Sequence, residues 1–252
     1  MQEVVKTKNK KGNMYEDAKF RWNCFVGCYY SCKYCLASFQ RQMKRQKPMI
    51  DKKGKKRGCQ QCYDYEPHFH KERLTNEWIK KNLPKTTKGD KFIWACSSGD
   101  ITFAKSEWIE KILMKIRELP DRTFFFQTKN PIIFQQYNFP DNILLGITLE
   151  SNRDYLSISH APVQTIRYAD FLKIKHPRTV VTIEPILQFD LGTLVKWIKN
   201  ISPERVYIGY DTKNTGLLEP SLAQTKRLIS HLRQFTKVKL KYMKNNQFEA
   251  LI

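Results

Sequence analysis

Seven short apolar runs, separated by polar breaks and amphipathic stretches, limit what this chain can fold into more than any other feature. They occupy residues 20–25, 91–96 (KFIWAC), 123–128 (TFFFQT), 143–149 (ILLGITL), 179–183 (TVVTI), 205–209 (RVYIG) and 237–242 (KVKLKY). Near-continuous apolar strands alternating with helices mean a parallel sheet with helices outside. Residues 106–119 carry a Ser N-cap, an early Glu and apolar side chains at helical spacing: Trp108, Ile109, Ile112, Leu113 and Ile116. Residues 35–46, 190–199 and 219–235 read as further helices. The last run alternates strictly, as a half-exposed edge strand does. The pattern predicts an α/β fold: a partial (βα)6 TIM-like barrel of parallel strands with helices outside, plus a last strand, in one domain over 1–252. Residues 1–19 read as a flexible basic lead-in. Residues 41–75 read as a basic insertion after the first strand.

Between the first two runs lies Cys28-Tyr29-Tyr30-Ser31-Cys32-Lys33-Tyr34-Cys35. Gly27 allows the turn into it. Cysteines at CxxxCxxC spacing form an iron–sulfur ligand set. Three ligands hold three irons of a four-iron ([4Fe–4S]) cluster and leave the fourth iron open, as in catalytic rather than structural metal sites. A closed zinc or iron–sulfur site with a fourth ligand from elsewhere is the competing reading. Cys24 reads as packed inside the first strand.

The insertion adds charge and a second group of ligand residues. Residues 41–57 hold nine Lys or Arg against one acid, Asp51, and Pro48, Gly54 and Gly58 break any helix there. Lys52, Lys53, Lys55, Lys56 and Arg57 suit phosphate tracking. Cys59, Cys62, His68 and His70 can form a tetrahedral zinc site, or the cysteines can be free thiols or a redox pair. The formal charge of the whole chain is +21. A field of that size favours a polyanionic partner, nucleic acid first, over a merely solvated surface. No apolar run reaches membrane-spanning length, and the amino-terminal residues lack the apolar segment of a secretory signal. Clustered cysteines at ligand spacing point to a reducing compartment, so the cytoplasm is the expected location.

Strand after strand ends in polar residues: Asp100, Lys129, Glu150, Glu184 and Asp211. In a parallel barrel these positions collect on one face, where sites are built. Cys96 ends the second run. It reads as a buried apolar cysteine, with hydrogen donation near a radical site as the catalytic alternative.

The triad, with aromatic Tyr34 just before its last cysteine, resembles the signature of the radical S-adenosylmethionine (SAM) superfamily. The chain resembles more closely a compact radical SAM family of bacteria, archaea and phages, largely of unknown function and distantly related to spore photoproduct lyases. The matching segments are residues 27–35, Pro67-x-x-His70-x-x-Arg73-Leu74, 94–103, 126–131, 146–150, 183–187, 197–209 and 241–243. Departures are Leu36-Ala37 after Cys35, where the family usually has a tyrosine, and Gly209-Tyr210-Asp211 in place of a Gly-Gly-Glu-like strand end.

The resemblance implies that SAM chelates the open iron. One electron from an external reductant then cleaves it to methionine and a 5′-deoxyadenosyl radical, which abstracts hydrogen from a substrate. It also implies that Ser97, Ser98, Gly99 and Asp100 meet the SAM amino group. Glu150 and Ser151 meet ribose hydroxyls, Lys129 meets the SAM carboxylate or a substrate phosphate, and Glu184 points inward. The favoured function is radical chemistry on a base of DNA or RNA. A radical SAM enzyme acting on a small molecule or peptide is one alternative. A non-catalytic, metal-stapled nucleic-acid-binding module is another. The sequence leaves the oligomeric state open.

Overall fold

The computed structural model describes residues 15–243. The amino-terminal half contains β1 (Ala18–Trp22), β2 (Phe25–Val26), α1 (Leu36–Met43), β3 (Met49–Ile50), β4 (Lys56–Arg57), α2 (Gln60–Asp64), β5 (His68–Phe69) and α3 (Asn76–Asn82). Regular alternation follows: β6 (Phe92–Ala95), α4 (Ser106–Arg117), β7 (Phe124–Thr128), β8 (Ile143–Thr148), α5 (Gln164–Phe171), β9 (Thr179–Ile183), α6 (Leu191–Ile201), β10 (Arg205–Ile208), α7 (Leu222–Leu232) and β11 (Lys237–Leu240). A 3-10 turn (Pro131–Gln136) replaces the helix between β7 and β8.

Seven strands form one parallel sheet in the order β1-β6-β7-β8-β9-β10-β11. Every connection steps one strand along, so the sheet curls in one direction. Side chains alternate between its faces. Ile93, Phe124, Phe126, Leu145, Val181 and Val206 face outward onto Ile112 and Leu113 of α4, Ile198 of α6 and Leu228 of α7. Phe92, Trp94, Phe125, Leu144, Val180 and Tyr207 face inward and pack with Tyr15. The Tyr15 ring meets Phe92, Trp94, Phe125 and Tyr207 edge-on, with centroids 4.6–5.9 Å apart. One residue thus touches β6, β7 and β10, which measures the curl directly. β1 and β11 are the two edges and do not pair, so the result is a half-barrel with an open side.

Some expectations need correction. The lead-in is ordered from Tyr15 onward: Tyr15 is fully buried inside the barrel, and Ala18 and Lys19 belong to β1. Residues 1–14 lie outside the described residues. The first strand is Ala18–Trp22 rather than 20–25. Asn23 ends it, because its side-chain carbonyl accepts bonds from Ser97 Oγ at 2.9 Å and Ser98 N at 3.0 Å. The chain then steps out to form β2, which pairs antiparallel with β5. Lys105, not Ser106, occupies the N-cap of α4, with no side-chain capping bond. The insertion, read as a loop, contains a two-stranded hairpin of β3 and β4. No helix among the described residues is long and apolar enough to cross a membrane.

Candidate functional site

The cysteine loop lies against the C-terminal ends of the sheet strands. Gly27 N donates to Ser98 O at 3.1 Å, and Asp100 N donates to Gly27 O at 3.2 Å. Gly27 and Gly99 form an isolated parallel bridge that continues the pairing beyond β6. Both glycines are required by the approach. A Cβ on Gly27, whose φ is +107°, would lie 2.3 Å from Pro67 N, and a Cβ on Gly99 would lie 2.6 Å from Gly27 O. The far side of the loop is held by the segment after β8: His160 N donates to Tyr30 O at 2.8 Å and Lys33 N to Ile158 O at 2.9 Å.

Cys28, Cys32 and Cys35 border one small apolar group with Tyr30, Ala161 and Phe103. Burial, then the Asp100 charge, pushes the Cys28 thiol well above its ordinary range. Burial, then neighbouring Cys32, pushes Cys35 up to about 12, against the pull of Lys129. Cys28 and Cys35, buried in this pocket, resist ionisation by themselves. A metal reverses this by binding the thiolates, so the donor set fits a cationic iron cluster.

Two buried carboxylates organise the mouth around this loop. Asp100 Oδ1 accepts from Thr102 N (3.1 Å), Thr102 Oγ1 (2.8 Å) and Thr128 Oγ1 (2.7 Å), and Oδ2 accepts from Lys129 N at 2.9 Å. It therefore ties the end of β6 to the end of β7. Glu150 is fully buried at the end of β8. It receives Lys129 Nζ at 2.6 Å, Arg167 Nη1 at 2.8 Å, Gln164 Nε2 at 3.2 Å and the Tyr34 hydroxyl. Burial alone would raise this carboxyl, but Arg167 and Lys129 hold it well below the usual carboxylate range. The Lys129 ammonium also sits 5.0 Å from the centre of the Tyr34 ring. Through Tyr34 the acid grips the cysteine loop itself.

Between the mouth and the inner apolar cluster lies one polar layer. Tyr15 Oη donates to Gln127 Oε1 at 2.6 Å and lies 2.9 Å from Thr182 Oγ1, while Gln127 Nε2 donates to Thr148 Oγ1 at 2.7 Å. Lys241 reaches in from beyond β11, pairs with Glu184 and stands 4.4 Å above the Tyr15 ring. Gly209 leaves room for the pair, since a Cβ there would meet Lys241 Cβ at 2.9 Å and Glu184 Oε1 at 3.3 Å.

The structure does not gather every residue named from the sequence. Ser151 Oγ donates to Gln188 O at 2.6 Å. Cys96 is buried in the outer, helix-side core, with its sulfur 3.9 Å from that of Cys24. Neither cysteine joins the triad's apolar group. Conversely, Arg167, Gln164, Gln127, Thr148, Lys241 and Asn23 belong to no motif that spacing or composition marks. Gln127, Thr148 and Lys241 do fall within the matching segments 126–131, 146–150 and 241–243, and Lys241 is also the last lysine on one face of an alternating run.

The insertion contributes two features beside the loop. Asp51 orders the hairpin turn, accepting from Lys53 N and Lys55 N at 3.0 Å and from Arg57 Nε at 2.6 Å. Lys52, Lys53, Lys55, Lys56 and Arg57 are exposed there, as are Met49 and Ile50. Behind the hairpin, Cys59, Cys62, His68 and His70 bring one ligand atom each to within 4.8 Å of one another, a group that can hold a metal ion.

No protein-family model matches the chain, and no characterised protein matches it by sequence. Solved structures do match. A cysteine-to-alanine mutant of spore photoproduct lyase with dinucleoside spore photoproduct aligns with a TM-score of 0.59 at 12% identity, over 94% of this chain and 80% of the other. A tyrosine-to-phenylalanine mutant of that lyase gives 0.59 at 11% identity, over the same shares. A radical SAM methyltransferase from Sphaerobacter thermophilus gives 0.55 at 14% identity, over 94% of this chain and 70% of the other. The chain shares the fold of these proteins. In this fold the CxxxCxxC loop follows β1 and the short β2, and its neighbours are the ends of β6 and β8 described above.

Proposed function

We propose that this chain is a radical SAM enzyme that acts on nucleic acid. The observation that carries the proposal is the placement of Cys28, Cys32 and Cys35. They share one apolar pocket at the C-terminal mouth of a parallel half-barrel, in a loop tied to two strand ends. These residues would hold three irons of a four-iron cluster, which with SAM supplies a 5′-deoxyadenosyl radical for hydrogen abstraction.

The chain's own residues have separable tasks. Ser97, Ser98 and Gly99 present backbone beside the cysteine loop. Asp100 Oδ2 accepts a single backbone bond, which leaves lone-pair capacity for the ammonium of SAM. Glu150 orients Lys129 and Tyr34 at the pocket rim. Gln127, Thr148, Thr182, Glu184 and Lys241 line the interior beneath, bonded to one another or to Tyr15. The aromatic floor formed by Tyr15 and Trp94 closes the bottom.

Nucleic acid is favoured as the substrate class by the charge of +21 and by where it is concentrated. The basic hairpin rises from an insertion whose base, at Met43, Cys59 and Cys62, clusters with Val26 and Cys28, and a structural neighbour was solved with a dinucleoside photoproduct. Binding to single-stranded DNA or RNA should weaken steeply with salt. Replacing Lys52, Lys53, Lys55 and Lys56 together by Gln should flatten the slope of log K against log salt by about 3, at ~0.7–0.9 for each phosphate no longer neutralised. An unchanged slope would remove the hairpin as the phosphate contact, and wild-type binding that ignores salt would remove nucleic acid as the partner. A small-molecule or peptide substrate would then take its place.

A further inference from the structure

We propose that Cys59, Cys62, His68 and His70 bind a structural zinc ion that clamps the basic hairpin to the strand entering the cysteine loop. Cys62 Sγ lies 3.3 Å from His68 Nε2 and 3.2 Å from His70 Nε2, and Cys59 Sγ lies 3.5 Å from His68 Nε2. Ordinary zinc bond lengths in a tetrahedron separate sulfur from nitrogen by about 3.5 Å, so these atoms already stand near its corners.

The outer ring nitrogens fix what faces inward. His68 Nδ1 is 2.7 Å from the Glu66 carbonyl, which can only accept, so Nδ1 carries the proton and Nε2 presents a lone pair. His70 Nδ1 is 2.9 Å from a Glu72 carboxylate oxygen, with the same consequence. The two Nε2 atoms then face each other at 2.9 Å, lone pair to lone pair. A cation bound by both relieves that repulsion, and the outer acceptors are the partners that metal-bound histidines use. Cys62 N adds a bond to Cys59 Sγ at 3.5 Å, which suits a thiolate.

The donor set selects the metal. Two sulfurs and two imidazoles in a tetrahedron suit zinc and exclude calcium and magnesium, which take oxygen ligands. A two-iron cluster would need its two ligand pairs spread apart by a second metal, and all four atoms here lie within 4.8 Å. Four protein ligands close the coordination sphere, so the ion is structural.

The surrounding backbone says what it clamps. His68 and Phe69 pair with Val26 and Phe25, and His70 N donates to Cys24 O at 2.7 Å. This is the strand that delivers Gly27 and Cys28. On the other side, Cys59 N donates to Gln46 O at 2.9 Å, just before the hairpin. The ion thus joins the basic insertion to the root of the cysteine loop. Its presence does not depend on iron, on SAM or on the nature of the substrate.

The test uses the full chain with Cys28, Cys32 and Cys35 all replaced by Ala, which removes the iron site. Metal analysis should find about one zinc ion per chain, and adding C59S and C62S should lower it about tenfold or more. Cobalt added to metal-stripped wild-type chain should give the visible spectrum of a tetrahedral thiolate site, which checks the geometry without a mutation. Trypsin should cut at Arg73, whose Nη1 now donates to Asn23 O at 2.7 Å, about tenfold faster once zinc is removed. Zinc that survives C59S and C62S, a triple variant nearly free of zinc, or cobalt with only an octahedral spectrum would overturn the proposal.

Discussion

Glu150→Gln should lower the stability of the folded chain by about 3–5 kcal/mol, the usual result of removing one partner from a fully buried ion pair. Glutamine keeps the shape of the side chain, so the loss reports charge rather than a cavity. Arg167 is 1% exposed and would keep its bonds to Pro162 O and Thr148 O, but it would lose the carboxylate that neutralises it. Lys129 would lose the same partner. Tyr34→Phe removes only one hydroxyl donor to the same acid and should cost about 1–2 kcal/mol. Urea unfolding of both variants orders the two effects. A Glu150→Gln loss no larger than that of Tyr34→Phe would contradict the ion-pair account.

The same carboxyl carries a pH dependence of known sign. Its folded-state value lies below the unfolded one. Its contribution is therefore complete above the ordinary glutamate range, about pH 4.3, and is lost as pH falls from there through the depressed folded value. Wild-type stability should fall across that acidic window more steeply than that of Glu150→Gln.

Gly27→Ala should be nearly as damaging and should act on the metal site as well. The residue has φ +107°, and a Cβ would lie 2.3–2.4 Å from backbone atoms of Glu66 and Pro67. Backbone cannot swing aside as a side chain can, so β5 or the cysteine loop must move. Conformational strain of about 1–3 kcal/mol adds to overpacking of about 1–3 kcal/mol. The displaced loop should also retain less iron. Gly54→Ala is the control: its φ is +73°, but a Cβ there meets nothing within 4 Å. It should show the strain cost alone, with iron content unchanged. Equal stability losses in the two variants would mean that the approach of β5 to the loop is not tight.

The frame was legible because strands buried on both faces are written as apolar runs. All seven sheet strands lie within a few residues of those runs, and α4, α6 and α7 follow the helical spacing of their core faces. What escaped did so for physical reasons. Helix α5 buries Gln164 and Arg167 while exposing Ile166, so its hydrophobic pattern is inverted by the demand of Glu150 for partners. Strands β2 and β5 are two residues each, too short for any periodicity. The basic hairpin exposes both Met49 and Ile50, so no alternation marks it.

At the site, ligand types were legible and their partners were not. Cysteine and histidine spacing marks the triad and the second group. That Glu150 would be met by Arg167, or Glu184 by Lys241, depends on the curl of the sheet and on loops far apart in sequence. Alternation places Lys237, Lys239 and Lys241 on one face, but only Lys241 is buried, where the curl of the sheet brings it to Glu184.

The central claim is that Cys28, Cys32 and Cys35 leave one iron open for SAM, and anaerobic reconstitution tests it most directly. The wild-type chain, loaded first with zinc and then with iron and sulfide and reduced by one electron, should hold about one four-iron cluster. Its electron paramagnetic resonance spectrum should shift on adding SAM and be absent from the C28A, C32A and C35A variants. A four-iron cluster with a spectrum indifferent to SAM, or one that survives loss of the triad, would contradict the account.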